Sequence, residues 1–171
     1  MAYRTKTYIA ADWDGDQDAV KQLYDWNNSD HWDLSFVDAH EVTQSRDSSL
    51  NCTIKRSLAM RMNLSKTFVL IVGKNTKTLR SGSCQYCDKY YAPFSMCMNN
   101  YTVDLRSYIE FECEKAIKDD LKIIVLYNDI FANKVKCPDC IKDYGVHIPM
   151  RVYKGNGEYG WNYQAIKKAF E

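Results

Sequence analysis

Hydrophobic and β-branched residues are concentrated in five short runs, each of which predicts a β-strand. The runs cover residues 7–11, 33–38, 67–73, 122–128 and 146–153. The third and fourth runs are apolar almost throughout, which is typical of central strands in a parallel sheet, because both faces of such strands are buried. We therefore place these two runs in the middle of a sheet.

Four segments with apolar residues at helical spacing lie between the strands, at 16–27, 47–62, 104–120 and 162–170. The alternation of strands and helices predicts an α/β fold in which two helical layers enclose a mainly parallel, five-stranded sheet. We predict the flavodoxin-like strand order 2-1-3-4-5. Since ligands of such sheets bind beyond the carboxyl ends of the strands, we expect the site near the loops after Ala11, Asp38 and Gly73.

The length and composition of the chain predict a single domain over residues 1–171. The chain is 46% hydrophobic, which is enough to build one proper core. Two connections, about 74–103 and 129–145, are longer than is usual in a compact domain and are expected to be functional or tied down. Both contain cysteines, and we treat the first as an insertion.

The charge and hydropathy of the chain exclude two classes of partner. With 23 basic and 22 acidic residues, the chain has no excess positive charge to neutralise a nucleic-acid backbone. The longest apolar runs are far shorter than the roughly 20 residues that span a bilayer, so we expect no membrane crossing. The first residues lack the pattern of a secretory signal, which predicts a cytoplasmic protein.

Two Cys-x-x-Cys pairs lie in the two long connections, Cys84 with Cys87 and Cys137 with Cys140. Paired motifs of this kind commonly give a tetrahedral zinc ion four thiolates, and the predicted topology brings both loops to one edge of the sheet. One interpretation is therefore a structural zinc site. The other is four ordinary reduced thiols in surface loops.

An acidic segment, residues 12–16, directly follows the first predicted strand and contains Asp12, Trp13 and Asp14. It does not match a calcium-binding loop, because its glycine stands at the fourth position instead of the sixth. Two interpretations stay open. The segment forms a turn in which Asp16 caps the next helix, or it places polar groups at the strand end for a ligand.

The predicted helix around residues 106–117 contains three glutamates that a helical wheel separates. Its predicted buried stripe comprises Leu105, Ile109, Cys113, Ala116 and Ile117. Glu112 lies on the flank of this stripe among apolar neighbours, whereas Glu114 lies farther out, where Lys118 can pair with it. A carboxylate at such a boundary is either a structural residue or one whose pKa is tuned for catalysis.

Three segments together resemble a TIR-type domain, most closely the TIR-like subunit of the bacterial Thoeris anti-phage defence system. They are YIAADWDGDQDAV, SKTFVLIVGKNT and RSYIEFECEKAI, the last followed by DDLKIIVLYN. In that family an aromatic residue, an aliphatic residue and a glutamate three positions later precede a hydrophobic strand. Tyr108, Ile109 and Glu112 occupy these positions, with tyrosine where tryptophan is common. The insertion at 74–103 departs from the family's compact linker.

The resemblance implies a TIR-like fold, NAD as the substrate and Glu112 as the catalytic residue. Cleavage of the bond between nicotinamide and ribose creates an oxocarbenium-like centre, which a carboxylate can stabilise. The implied substrate-binding residues are Asp12, Trp13, Asp14, Asn75, Thr76, Tyr108 and Phe111. Thoeris members resemble enzymes that make a cyclic ADP-ribose signal for a partner effector protein, and TIR enzymes often act only when they self-associate.

Three functions are therefore weighed on the sequence. The first is an NAD-cleaving enzyme that makes a signalling nucleotide, and the second is a non-catalytic adaptor of the same fold that binds a partner or itself. The third is a nucleoside-processing transferase, which shares the open α/β layer and a glutamate chemistry. A boundary carboxylate that faces an open pocket favours an enzyme, because an adaptor has no need of one.

Overall fold

A parallel sheet of four strands forms the centre of the protein, whose computed structural model describes residues 3–39 and 50–171. The strands are β1 (Lys6–Ala10), β2 (Ser65–Val72), β5 (Lys122–Tyr127) and β6 (Val146–Pro149), arranged in the order β1-β2-β5-β6. The predicted central runs therefore lie in the two inner strands, which are buried along almost their whole length.

The second predicted strand, 33–38, is reduced to one parallel bridge between Thr7 of β1 and Asp38. Asp33 and Ser35 have φ angles of 44° and 52°. These left-handed conformations interrupt an extended strand, so only the end of the segment reaches the sheet. The bridge extends the sheet beyond β1, and the predicted order 2-1-3-4-5 is confirmed with its second strand in this shortened form.

The fifth predicted strand, 146–153, is divided between two sheets. β6 ends at Pro149, and β7 (Arg151–Gly155) pairs antiparallel with β8 (Glu158–Trp161) in a separate hairpin. The buried residue Met150 stands at the division. Its N–H donates to Tyr127 O at 2.7 Å, and its O atom accepts from the N–H of Asn162, directly after β8, at 2.8 Å. The hairpin closes at Gly155, Asn156 and Gly157, which all have positive φ, as a turn there requires.

Within the described ranges, four α-helices cover the sheet: α1 (Gln17–Asn27), α2 (Asn51–Asn63), α3 (Tyr108–Lys118) and α4 (Tyr163–Phe170). The predicted start of the second helix at Asp47 lies outside the described residues. No helix in the described part of the chain combines the length and the apolar composition that a bilayer crossing needs.

Alternate side chains of the strands build two cores, one on each face of the sheet. Ile9, Val69 and Ile71 pack with α1 and α4, whereas Tyr8, Phe68 and Leu70 pack with α2 and α3. The sheet therefore separates two helical layers, as predicted. Tyr8 is the only one of these six side chains that carries a polar group, and it faces α3.

The insertion at 74–103 is tied to the starts of α2 and α3. It contains a short antiparallel hairpin whose strands, β3 (Tyr90–Tyr91) and β4 (Met96–Cys97), have two residues each. Asn51 Nδ2 donates to Ser83 O at 3.0 Å, and the Tyr108 N–H donates to Ser81 O at 2.8 Å. These bonds hold the insertion over the end of the helical layer that contains Glu112.

Candidate active site

A capping box starts α3 and thereby sets the position of its glutamates. The Glu110 N–H donates to Ser107 Oγ at 3.1 Å, and the Ser107 N–H donates to Glu110 Oε2 at 2.8 Å. This reciprocal pair satisfies two backbone donors at the helix N-terminus. Glu110 also binds Arg80 at 2.9 Å. Glu110 is therefore committed to the helix start, which leaves Glu112 as the inward-facing acid.

Glu112 is buried on the face of α3 that packs on the sheet. Its side chain is 6% exposed, and the Tyr8 hydroxyl of β1 donates a hydrogen bond to its Oε1 atom. Burial raises the pKa of Glu112 to about 7, although the Tyr8 hydrogen bond and the positive charge of Arg61 both oppose the rise. Near neutral pH the protein therefore contains both the acid and the carboxylate.

The burial and ion pairing of the residues around Glu112 agree in part with those predicted from the helical wheel. Ile109, Cys113 and Ala116 are buried as predicted. Leu105 is 52% exposed, because the helix begins three residues later, and its predicted place in the stripe is wrong. Glu114 pairs with Arg106 at 2.7 Å instead of the predicted Lys118, since the Arg106 side chain reaches back over the first helical turn.

Tyr8 and Arg61 were not predicted as partners of Glu112. Both lie far from Glu112 in the sequence, and only the packing of α2, α3 and β1 brings them close. One signal in the sequence does point to Tyr8: its phenolic hydroxyl stands directly before the apolar residues 9–11 of a predicted strand. Such a hydroxyl needs a partner from the helical layer.

Replacing Tyr8 with phenylalanine should destabilise the protein more at pH 8 than at pH 5. Above pH 7 Glu112 is ionised, and the loss of its donor leaves a buried charged oxygen unpaired, at a cost of about 1–3 kcal/mol. Urea denaturation at the two pH values measures the difference. Tyr159→Phe, which removes a hydroxyl from a side chain that is 56% exposed, is the control. Equal losses at the two pH values would contradict the prediction.

The acidic segment after β1 forms a turn, as one of the two interpretations expected. Trp13 is 42% exposed and Asp14 is exposed, while Asp12 is half-buried and its backbone oxygen accepts from the Asp16 N–H at 2.8 Å. Asp16 stands at the N-cap of α1, but its side chain makes no capping bond. The predicted side-chain cap is therefore wrong.

The buried carboxyl of Asp16 lies instead beside the carboxyl ends of β1, β2 and β5. It faces Gly73 after β2 and accepts from Asn128 Nδ2, after β5, at 3.0 Å. Asn128 Nδ2 also donates to Asp18, which Arg151 binds at 2.5 Å. Burial raises the pKa of Asp16 from its ordinary value. The position of Asn128 directly after an apolar strand could have revealed this cluster from the sequence.

Asn75 and Thr76 have different environments at the end of β2. Thr76 is 2% exposed, and its Oγ1 atom accepts from the Gly73 N–H at 2.8 Å. Asn75 is exposed, and its backbone oxygen accepts from the N–H groups of Thr78 and Leu79. Thr76 therefore closes the turn, and only Asn75 offers its side chain to solvent.

Tyr108 and Phe111 lie on the side of α3 that faces α2. Tyr108 is half-buried and donates from its hydroxyl to Asn51 Oδ1 at 3.0 Å; burial and the nearby cysteine thiols raise its pKa to about 12. The Phe111 ring lies 5.2 Å from the Arg106 guanidinium and lines a cavity of about 500 Å³. Neither Glu112 nor Tyr8 lines that cavity. The predicted binding residues therefore do not all surround the predicted catalytic residue.

An alanine at Gly82 should displace the Tyr108 ring and lower the free energy of unfolding by about 1–3 kcal/mol. Gly82 has a φ of 93°, and an added Cβ would stand 2.5 Å from the ring. Gly157→Ala is the matched control, because its φ of 80° imposes a similar backbone cost with no atom within 4 Å. Thermal denaturation of both variants measures the difference. A loss no larger than that of Gly157→Ala would refute the role of the ring contact.

The four cysteines predicted to bind zinc lie in two different environments. Cys84 accepts from the Asp104 N–H at 3.3 Å and lines the cavity beside Phe111. Cys137 and Cys140 instead pack against the buried Cys113 in the core between α3 and the sheet. The insertion is held at the helix starts, whereas the other loop folds under α3, so the two pairs do not converge.

The geometry of the cysteines does not fit a four-thiolate zinc site. Across residues 3–39 and 50–171, no three His, Cys, Asp or Glu side chains are grouped so that they could hold a metal ion. All seven cysteines are free. The alternative, four reduced thiols in surface loops, does not describe Cys137, which is fully buried in the core.

The parallel α/β sheet of this order, between two helical layers, is the architecture that a TIR-like fold has. Residues 8–81 match the model of a protein family described as Thoeris protein ThsB, TIR-like domain. The resemblance inferred from the sequence is confirmed by this match. The matched segment includes Tyr8, the turn after β1, Arg61, Asn75 and Thr76, and it ends before α3 and Glu112. A comparison with curated proteins found no match.

Proposed function

We propose that this protein is an NAD-cleaving enzyme that makes a signalling nucleotide in anti-phage defence. The observation that carries the proposal is the Glu112 carboxyl. It is buried between α3 and the sheet, accepts a hydrogen bond from Tyr8, and has a pKa of about 7. A shifted pKa at an inward-facing acid is typical of a catalytic carboxylate. The match of residues 8–81 to a Thoeris TIR-like family supports the defence role.

The proposed chemistry uses the ionised form of Glu112. As the bond between nicotinamide and ribose breaks, its electron pair leaves with nicotinamide and positive charge develops on the ribose ring. The carboxylate stabilises this charge and accepts hydrogen bonds from the ribose hydroxyls. Attack by water, with loss of a proton, gives ADP-ribose, whereas attack by an atom of the same nucleotide gives a cyclic product. We favour the cyclic product, which would activate a partner effector protein.

NAD has to reach Glu112 before it can be cleaved there. The side chain is only 6% exposed, so groups that cover it have to move before a ribose can reach it. We propose that self-association or NAD itself drives this opening. The side chains of Asp12, Trp13, Asp14 and Asn75, at the carboxyl ends of β1 and β2, are then our candidates to hold the nucleotide, together with Tyr108, one helical turn from Glu112.

The same burial favours a second function, that of a non-catalytic adaptor. A carboxyl that stays covered and bonded to a strand tyrosine is a structural link between α3 and β1. In that case the TIR-like surface would bind a partner or a second copy without turnover. The choice between the two functions depends on whether Glu112 ever meets NAD.

Incubation of the purified protein with NAD tests the proposal. Nicotinamide and nucleotide products are followed by chromatography with mass detection, over a range of protein concentrations that favours self-association. We expect nicotinamide release together with a product one water lighter than ADP-ribose. ADP-ribose itself would establish the enzyme but refute cyclisation. No release at any protein concentration would favour the adaptor.

A further inference from the structure

We propose that two copies of this protein associate through the insertion, with one β3–β4 hairpin packed against the other. The contact surface, which we call the hairpin face, consists of Tyr91, Phe94, Met96 and Met98. Association through this face does not depend on NAD cleavage. Only its effect on Glu112 rests on the proposed function.

The pairing of β3 with β4 gathers these four side chains on one side of the hairpin. Tyr91 stands opposite Met96 in the antiparallel register, so their side chains share a face. The Met98 N–H donates to Lys89 O at 2.8 Å and continues the pairing, and Met98 has the two-residue spacing from Met96 that returns to the same face. The Phe94 ring lies 5.6 Å from the Tyr91 ring. The four side chains therefore form one apolar surface.

The hairpin face is more exposed than the apolar surface of most monomers. Its four side chains are between 44% and 73% exposed. Tyr86 and Tyr101, in the same insertion, are 65% and 48% exposed. A whole aromatic side chain presents about 150–250 Å², so the six side chains together offer on the order of 600 Å². Exposed apolar surface of this extent typically marks a protein interface.

The size and the charge of this surface fit a second copy of the chain. A standard interface takes about 800 Å² from each partner, which the six side chains and the polar atoms around them can supply. Residues 84–101 contain two charged residues, Asp88 and Lys89, both exposed at the turn before β3. One charge of each sign gives no net repulsion between copies. In a two-fold contact, Asp88 of each copy can pair with Lys89 of the other.

The insertion is tied at both ends of its first turn to the residues around the start of α3. The Cys84 N–H donates to Asp104 O at 2.9 Å, and the Tyr108 N–H donates to Ser81 O at 2.8 Å. A contact at the hairpin therefore acts on the first turn of the helix that contains Glu112. If Glu112 is the catalytic residue, nicotinamide release per protomer should rise with the fraction of dimer.

Sedimentation velocity of the purified protein, from about 1 to 100 μM, tests the proposal. We expect a reversible equilibrium between monomer and dimer. Phe94→Ser should raise the dissociation constant of the dimer at least about tenfold, because a central aromatic side chain carries much of the energy of an interface. The replacement should not unfold the protein, since Phe94 is 73% exposed. A monomer at every concentration would overturn the proposal.

Phe131→Ser is the matched control for this variant. Phe131 is 69% exposed but lies on the other long loop, between β5 and β6. Its replacement should change the dissociation constant by less than about twofold, because it removes the same side chain outside the hairpin face. Equal dissociation constants for Phe94→Ser and the wild type, or equal losses in both variants, would refute the hairpin face as the interface.

Charge reversal tests the two-fold arrangement while all the apolar side chains stay in place. Lys89→Asp puts two acidic residues at the turn of each copy and should weaken the dimer at least about threefold. The double variant with Asp88→Lys and Lys89→Asp restores one charge of each sign on both copies, so its dissociation constant should return to within about twofold of wild type. A dimer that Lys89→Asp leaves unchanged would refute the contact at this turn.

Nicotinamide release, measured in the same wild-type samples, separates the interface from the enzyme. A dimer that Phe94→Ser weakens, without any nicotinamide release, would support the hairpin face and refute the proposed activity. Nicotinamide release by a protein that stays monomeric at every concentration would establish the activity and overturn the hairpin face as an interface.

Discussion

Replacing Glu112 with glutamine is expected to reduce nicotinamide release by roughly 10²- to 10³-fold, the usual loss when a preorganised charge-stabilising group is removed. Glutamine has nearly the same shape and can still accept the Tyr8 hydrogen bond. It cannot provide the negative charge that the developing ribose cation needs. The measurement is the rate of nicotinamide release at saturating NAD, with wild type and variant at the same protein concentration.

Glu114→Gln is the matched control for this loss. Glu114 lies on the same helix, but its side chain is 47% exposed and pairs with Arg106 at the surface. Its replacement should leave nicotinamide release within about twofold of wild type, since a screened surface pair contributes little. If the Glu112 and Glu114 variants lost activity equally, or if neither lost any, Glu112 would not be the catalytic residue.

The same Glu112→Gln variant is expected to be more stable than the wild type above pH 7, by about 3 kcal/mol. Burial raises the pKa of Glu112 from 4.5 to about 7 in the folded protein. Between these two values the folded state binds more protons than the unfolded state, so the free energy of unfolding falls as pH rises through this window. Above pH 7 the full loss of unfolding free energy is present in the wild type. Glutamine does not titrate, so the variant does not undergo this loss.

Urea denaturation of the wild type and Glu112→Gln at pH 5 and pH 8 measures this effect. The difference in unfolding free energy between the two proteins should be small at pH 5 and should grow in favour of the variant at pH 8. Glu114→Gln again serves as the control and should follow the wild type at both pH values. A difference that does not change with pH would mean that Glu112 titrates at an ordinary pKa.

The proposed activity and the stability should therefore change in opposite directions over the same pH range. Formation of the Glu112 carboxylate provides the charge for catalysis and, at the same time, leaves a buried charge in the core. Stability given up at a functional residue in this way is a common trade-off. A structural glutamate would show the stability trend alone, so the pair of measurements also separates the enzyme from the adaptor.

The layered α/β fold and the identity of the inward-facing acid were determined by the sequence itself. Apolar runs at 67–73 and 122–128 required strands buried on both faces, and the 3.6-residue period of α3 turned Glu112 toward the sheet. These patterns are local, so they can be recognised from neighbouring residues alone. The predicted start of this helix at residue 104 was wrong, because the Ser107 cap begins α3 at Tyr108 and excludes Leu105.

The partners of these residues were decided only by the tertiary structure. The hydrogen bond between Glu112 and Tyr8 joins residues that are 104 positions apart in the sequence. The separation of the two cysteine pairs depends on which elements each long loop packs against. The second predicted strand forms only one bridge, because Asp33 and Ser35 adopt left-handed conformations. The residue types at these positions did not reveal those conformations. A pattern along the chain specifies which face a side chain turns to, whereas burial, pKa and bonding depend on what the rest of the fold places opposite it.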